Sequence, residues 1–125
     1  MRPVLLYDGE CRVCRFTARA VVRLDRSRQL AVLPLQDAAA EHLLASLPTE
    51  ERLATWRLAR VDGSLAGYGS GVPGLLSAMR LTRPFGRALA LVPAGALDAA
   101  YRFVARNRSN LGRFVPDGSA PKRFP

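Results

Sequence analysis

The sequence is poor in three residue types that often carry chemistry: lysine, histidine and cysteine. Its only lysine, Lys122, lies in the last four residues, where no apolar pocket can hold it, and this argues against Schiff-base chemistry. Its only histidine, His42, gives no basis for a Ser–His–Asp site. Together with the two cysteines, His42 supplies three of the four ligands that a structural zinc ion requires. A complete zinc site would therefore need a second copy of the chain.

Long apolar runs are also missing. The longest nearly apolar stretch, residues 88–97 (ALALVPAGAL), is well below the roughly 18 residues that span a bilayer, and Pro93 interrupts it. The N-terminus has a short apolar run before an acidic turn, which is not the pattern of a signal peptide. We therefore expect a soluble cytoplasmic protein in a compartment that keeps thiols reduced.

The charge is strongly one-sided. The formal net charge is +9, and nearly all cations are arginines. On a helix predicted from residue 11, five arginines form one solvated stripe that includes Phe16: Arg12, Arg15, Arg19, Arg23 and Arg26. The charge alone permits a basic binding module for nucleic acid or an acidic partner, with structural cysteines. We favour a solvated helix face, because no RNA-binding motif accompanies the stripe.

The order of the predicted elements indicates an α/β fold. Two short apolar runs, 3–7 and 30–36, predict strands on either side of that helix. Pro34 cannot donate a ladder hydrogen bond, so the second strand lies at a sheet edge or ends near Pro34. An Asp-Gly turn within residues 56–69 predicts a hairpin. Further helices are predicted at 38–47, from residue 49, and at 70–79 and 96–107, with a turn-rich connection at 80–86.

This βαβ unit followed by a β-hairpin and helices predicts a thioredoxin-like domain with a mixed sheet. We expect one domain over residues 1–114 and a flexible basic tail over 115–125.

The two cysteines stand three residues apart in YDGECRVC, residues 7–14. The spacing permits a redox pair, part of a metal site or two packed core residues. Cys11 lies in the first helical turn, where unpaired N–H groups and the helix dipole favour a thiolate, as do Arg12 and Arg15. Cys14 lies on the predicted core face with Thr17, Ala18, Val21 and Leu24. Redox chemistry is the favoured interpretation, with Cys11 attacking and Cys14 resolving.

The stretch LLYDGECRVC resembles the signature of the DCC (Asp-Cys-Cys) family of predicted thiol–disulfide oxidoreductases. Its D-x-x-C-x-x-C motif matches Asp8, Cys11 and Cys14, and YRFVARNRSNLGRF at 101–114 is similar to the family's ending. The resemblance runs from Val4 to about Phe114. It implies a thioredoxin-like fold and thiol–disulfide exchange with a protein or small-molecule substrate. We expect no cofactor.

Asp8 is a third candidate catalytic residue, and three further residues are candidates for supporting roles. Asp8 can form an Asx-type turn, which we favour slightly, or exchange a proton with Cys14. Thioredoxin-like enzymes generally place a cis-proline before the strand that faces the cysteines, and Thr55 holds roughly that position here. Arg106 and Arg108 complement the end of the last helix, and they join the site if that end folds back toward Cys11.

Overall fold

The structure is a computed structural model that describes residues 2–52 and 55–124. A four-stranded sheet lies at its centre, with the order β2-β1-β3-β4. The strands are β1 (Val4–Tyr7), β2 (Ala31–Pro34), β3 (Arg57–Ala59) and β4 (Leu65–Gly67). β1 pairs with β2 in parallel and with β3 antiparallel, and β3 pairs with β4 antiparallel. The predicted thioredoxin-like mixed sheet is confirmed, including the hairpin and the edge position of β2.

Seven helices connect and cover the described strands. They are α1 (Arg12–Leu24), α2 (Ala40–Leu43), α3 (Thr49–Arg52), α4 (Val72–Ala78), α5 (Arg83–Leu89), α6 (Ala94–Arg106) and α7 (Arg108–Leu111). Short 3₁₀ helices lie at Gly69–Gly71 and Gly112–Phe114. The helix predicted at 38–47 is therefore much shorter than expected, whereas α1 and α6 lie within two residues of their predicted bounds.

The turn-rich connection predicted at 80–86 is wrong, because α5 begins within it. Pro84 lies in the first turn of α5, where its missing N–H has no cost. Gly86 lets this helix approach α4 closely. A Cβ at Gly86 would lie 2.7 Å from the carbonyl oxygen of Pro73 and closer still to Ser77. The proline and the glycine thus serve helix initiation and helix packing here, rather than a turn.

The sheet is buried on both faces, and alternate side chains of β1 point into a separate core cluster on each side. Leu5 and Tyr7 pack with Ala18 and Val21 of α1 and with Leu75 of α4. Val4 and Leu6 pack on the other side with side chains that follow β2, among them Leu35, Ala40 and Leu44. α1 is therefore fixed against the end of β1 from which the cysteine motif begins.

The predicted faces of α1 need correction. Ala18 and Val21 are buried as expected, but Thr17 and Leu24 are exposed. The Thr17 hydroxyl donates to the Val13 carbonyl oxygen at 2.9 Å, within the helix itself. Three members of the predicted solvated stripe contact the C-terminal segment, and one of them, Arg12, approaches the Asp117 carboxylate at 3.8 Å. Arg15 bonds to the Asp117 carboxylate, and Arg19 donates to the carbonyl oxygens of Pro116 and Ser119. The stripe is thus partly covered.

The C-terminal segment, residues 115–124, contacts the outer edge of β2. Arg123 and Val32 exchange two backbone hydrogen bonds, at 2.7 and 2.8 Å. The Arg123 guanidinium also bonds to the buried Asp25 carboxylate and to the Leu30 carbonyl oxygen. The sequence predicts a flexible tail here. In the structure the segment is docked, because β2 offers unpaired edge groups and Asp25 offers a buried negative charge.

Tyr7 links the core to this segment and predicts a response to alkaline pH. Its hydroxyl donates to the Pro121 carbonyl oxygen, and burial raises the pKa of Tyr7 to about 12 despite the opposing charges of Arg15 and Arg19. The neutral phenol is therefore favoured in the folded state. Stability from this group is complete below the unfolded pKa of about 10 and is lost as pH rises through about 12.

We expect the free energy of unfolding in urea to fall between these two pH values, and the fall to be smaller in Tyr7→Phe. An ultraviolet difference titration of the two proteins isolates the Tyr7 phenol. A difference signal centred near pH 10 would contradict the burial argument.

Candidate functional site

Cys11 lies at the junction between β1 and α1. The chain leaves β1 at Tyr7 and turns through residues 8–10, where the Cys11 N–H donates to the Asp8 carbonyl oxygen at 3.3 Å. Cys11 then has an extended backbone and is the N-cap of α1, and its carbonyl oxygen accepts from the Arg15 N–H at 2.9 Å. Its thiol makes no capping hydrogen bond. The helix thus starts one residue after the predicted position, and the Cys11 side chain is available for chemistry.

Cys14 lies one turn further along α1. It is partly buried and packs against the core cluster that contains Leu5, Tyr7 and Ala18. Cys11 is also partly buried, so the contrast in exposure is weaker than the sequence predicts. The surroundings still differ, because Cys11 lines a surface cleft whereas Cys14 packs against the core.

The cleft at Cys11 has a volume of about 510 Å³. It is formed where the turn after β1 and the first turn of α1 meet the end of α6 and the 3₁₀ helix that begins at Gly112. The lining residues are Asp8, Glu10, Cys11, Arg12, Val13, Ala105, Gly112 and Arg113. The end of α6 therefore approaches Cys11. The sequence made a functional role for Arg106 and Arg108 conditional on this approach.

The arginines at and after the end of α6 lie at different places. Arg106 is exposed at the end of α6, where Ala105 forms the wall of the cleft. The side chain of Arg108 lies outside the described residues. Arg113 lines the cleft and was not predicted, although it belongs to the same 101–114 stretch that carries the family resemblance. Its position depends on α7 and the 3₁₀ helix, which the sequence pattern does not predict.

Asp8 orders the turn that carries Cys11. Its Oδ1 accepts from the Glu10 N–H at 3.0 Å and from Gln36 Nε2 at 2.8 Å, while Gln36 Oε1 accepts from the Gly9 N–H at 2.9 Å. A Cβ at Gly9 would be a tight fit, 3.1 Å from the Pro34 Cβ. The Asx-type bonding of Asp8 is therefore observed. Gln36 was missed, because its partners are 27 and 28 residues away in the chain.

Arg15 connects this turn to the C-terminal segment. Its guanidinium donates to the Gly9 carbonyl oxygen at 3.1 Å and to the Asp117 carboxylate at 2.6 Å. The bond to Asp117 raises the pKa of Arg15, and the charges of Cys11 and Asp8 act in the same direction, while burial opposes them. The pKa of Asp117 is lowered by the bond from Arg15, by the Gly118 N–H and by the nearby charge of Arg12. Asp117 thus offsets positive charge beside Cys11.

Arg12 lies on the open side of the same helix turn. It donates to the Gly112 carbonyl oxygen at 3.4 Å and approaches Asp117 at 3.8 Å. Arg12 therefore joins the start of α1 to the 3₁₀ helix that forms the opposite wall of the cleft. Both predicted arginines are near the cysteines, but the Asp117 carboxylate, which has no local signature in the sequence, partly neutralises their charge.

Thr55 lies just before β3, as predicted. β1 and β3 pair with Leu6 opposite Arg57, and the same register continued by two residues sets Thr55 opposite Asp8. Thr55 is buried, and its hydroxyl lies 2.8 Å from the Tyr101 hydroxyl on α6. Thr55 therefore links the sheet to the helix whose end borders the cleft.

A metal site and a membrane span were both considered from the sequence. Among residues 2–52 and 55–124, no group of three or more His, Cys, Asp or Glu side chains is placed to hold a metal ion. Within the same residues, no single helix is long and apolar enough to cross a membrane. α5 and α6 pass that test only as a pair, and the chain bends by 110° between them.

Comparison with known proteins assigns the family. The family model described as DCC1-like thiol-disulfide oxidoreductase matches residues 5–114, which is most of the chain. Searches of curated proteins and of solved structures found no match. The matched residues include the Asp8–Cys14 motif and the 101–114 stretch that meet at the cleft. The chain therefore belongs to the DCC1-like thiol-disulfide oxidoreductase family.

Proposed function

We propose that this protein is a thiol–disulfide oxidoreductase in which Cys11 attacks and Cys14 resolves. The observation that carries the proposal is the position of the two side chains. Cys11 is the N-cap of α1 and lines an open cleft, and Cys14 lies one turn later against the core. A thiol at a helix N-terminus is placed to react as the thiolate, and its partner one turn away is placed to follow it.

The proposed reaction is two successive exchanges. The Cys11 thiolate attacks one sulfur of a substrate disulfide, forms a mixed disulfide and expels the other sulfur as a thiolate, which takes a proton from water. Cys14 then loses its proton and attacks the Cys11 sulfur, which releases the second substrate thiol. The substrate gains two electrons, and the protein loses two electrons because Cys11 and Cys14 are now joined by a disulfide bond. A thiol reductant restores the dithiol by the reverse steps.

The charged residues at the cleft have distinct proposed roles. Asp8 lines the cleft and accepts the proton of Cys14 directly or through water, in addition to ordering the turn. Arg12 and Arg15 stabilise the Cys11 thiolate, a role supported by the electrostatic interaction between Arg15 and Cys11. The substrate is a disulfide of a protein or of a small molecule, and it enters between Arg12 and Arg113.

The remaining candidates support the walls of the cleft. Thr55 holds α6 through the bond to Tyr101, so its proposed role is positioning. Arg106 adds positive charge on the α6 side, and Arg108 stays a candidate from the sequence alone. The cytoplasm is the proposed compartment, because its thiol pool regenerates a dithiol.

The alternative of a basic binding module is less well supported. It depends on a free arginine face on α1, and Arg15 and Arg19 both have partners in the C-terminal segment. It predicts that the protein binds an oligonucleotide in a salt-sensitive way. This binding should remain when both cysteines are replaced by Ser.

An exchange assay tests the proposed activity. Dithiothreitol reduces hydroxyethyl disulfide slowly, and we expect the wild-type protein to accelerate this reaction. Cys11→Ser is expected to return the rate to the uncatalysed value, because the nucleophile is removed. Circular dichroism of the variant controls for folding. Equal rates with wild-type and Cys11→Ser protein would refute the proposal.

A further inference from the structure

The junction between α5 and α6 carries an unusual amount of exposed apolar surface. Of residues 84–96, hereafter the apolar junction, all but Gly86 and Leu89 are exposed. Leu91 is 87% exposed and Phe85 is 67% exposed. Arg87 is the only charged residue in this segment. Contiguous exposed apolar surface of this kind marks a contact site for a partner or a membrane.

Packing of α5 fixes which side of the junction is free. Gly86 lies against α4, and Arg83 Nε donates to the Ser77 carbonyl oxygen at 3.0 Å. α5 is therefore held to the domain by one face. The chain then bends by 110° into α6, so the residues between the two helices form a corner. Leu91 and Val92 lie at this corner and are exposed.

The charges on the α5 side of the corner have one sign. No acidic residue occurs from position 63 to position 97, and Arg80, Arg83 and Arg87 all lie in that range. Arg80 and Arg87 are exposed. The next acidic residue, Asp98, accepts a hydrogen bond from the Ser70 N–H at 2.8 Å. The apolar corner is thus bordered by arginines that have no neighbouring acid in the sequence.

These charges distinguish between possible occupants. A second copy of the chain placed corner to corner would bring arginines of like charge together. A bilayer with anionic headgroups carries negative charge, which attracts these arginines. Its boundary between headgroups and acyl chains can also accommodate an apolar segment. The sharp bend between α5 and α6 also fits a corner that dips into one surface of the bilayer, rather than a helix that crosses the bilayer.

We propose that the apolar junction docks on the surface of an anionic lipid bilayer. Phe85, Leu91 and Val92 enter the boundary between headgroups and acyl chains, and Arg80 and Arg87 contact the anionic headgroups. This inference does not depend on the redox activity, since it uses none of the residues at the Cys11 cleft.

Vesicle flotation with the full chain tests the proposal. The vesicles contain phosphatidylcholine alone or phosphatidylcholine mixed with phosphatidylglycerol, at low and at high salt. We expect binding to the mixed vesicles at low salt, weaker binding at high salt and little binding to phosphatidylcholine alone. Phe85→Ser combined with Leu91→Ser is expected to weaken binding by about tenfold or more, because the apolar insertion is lost.

Val61→Ser is the matched control, because Val61 is an exposed aliphatic residue (55%) on the β3–β4 turn. This variant should bind as the wild type does. Arg80→Gln with Arg87→Gln should remove most of the salt dependence, and all variants should retain thiol exchange. Absence of binding to the mixed vesicles, or undiminished binding by the Phe85/Leu91 variant, would overturn the proposal. So would a wild-type dimer in sedimentation that the Phe85/Leu91 variant abolishes, because the occupant would then be a second copy.

Discussion

Cys14→Ser is expected to accumulate a mixed disulfide on Cys11, whereas Cys11→Ser is expected to accumulate little on Cys14. The physical reason is the difference in surroundings. Cys11 lines the cleft at the start of α1, and Cys14 packs against the core cluster. Without Cys14, the first exchange proceeds but the second cannot, so the bound thiol stays attached.

Incubation of each variant with oxidised glutathione, followed by acid quenching and intact-mass measurement, shows the adduct directly. We expect most of Cys14→Ser to carry one glutathione while Cys11→Ser remains largely unmodified. Alkylation of the wild type at neutral pH should likewise label Cys11 much faster than Cys14. Preferential trapping on Cys14 would reverse the assigned roles and contradict the proposed approach of substrate through the cleft.

Arg123→Ala is expected to cause a large loss of stability, although the residue is third from the end of the chain. The Asp25 side chain is 0% exposed, and its carboxylate accepts from the Gln29 and Leu30 N–H groups, each at 2.9 Å, and from Arg123. Removal of the guanidinium leaves a buried carboxylate without its cation. Breaking a buried pair in this way costs about 3–5 kcal/mol.

The neighbouring Lys122 provides a matched control. It pairs with Asp37 at 2.8 Å, and both side chains are partly exposed. Lys122→Ala is therefore expected to cost less than about 1 kcal/mol, as exposed pairs do. Urea unfolding of the two variants measures the difference. Equal, small effects would mean that the C-terminal segment contributes little to the stability of the domain.

Local patterns predicted the parts of the fold that depend on neighbouring residues. The apolar run Val4–Tyr7, the Asp-Gly turn of the hairpin and a helix start beside Cys11 are each specified within a few residues of the chain. The strand and the hairpin are observed, and α1 begins one residue later than predicted, at Arg12. The edge position of β2 followed from the missing N–H of Pro34. From the sequence, Arg106 and Arg108 were expected to join the site only if the end of α6 approaches Cys11. In the structure the end of α6 does approach Cys11.

Contacts between distant segments could not be read from those patterns. Gln36 bonds to the turn of Asp8, and Asp117 reaches Arg15 over 102 residues, so neither partner has a local signature. The composition of residues 115–125 suggested a tail, because the docking groups of that segment, the Val32 edge and Asp25, lie far away in sequence. α5 was missed because Pro84 and Gly86 resemble turn residues until their packing against α4 is known.

The central claim is that Cys11 and Cys14 form a reversible dithiol–disulfide pair. Equilibration of the wild-type protein in glutathione redox buffers, with acid quenching, alkylation and intact-mass measurement, tests it most directly. We predict one transition from two alkylated thiols to none, which fits a single two-electron couple and lacks a stable glutathione adduct. A protein that keeps both thiols, or only gains glutathione, across all buffers would contradict the claim.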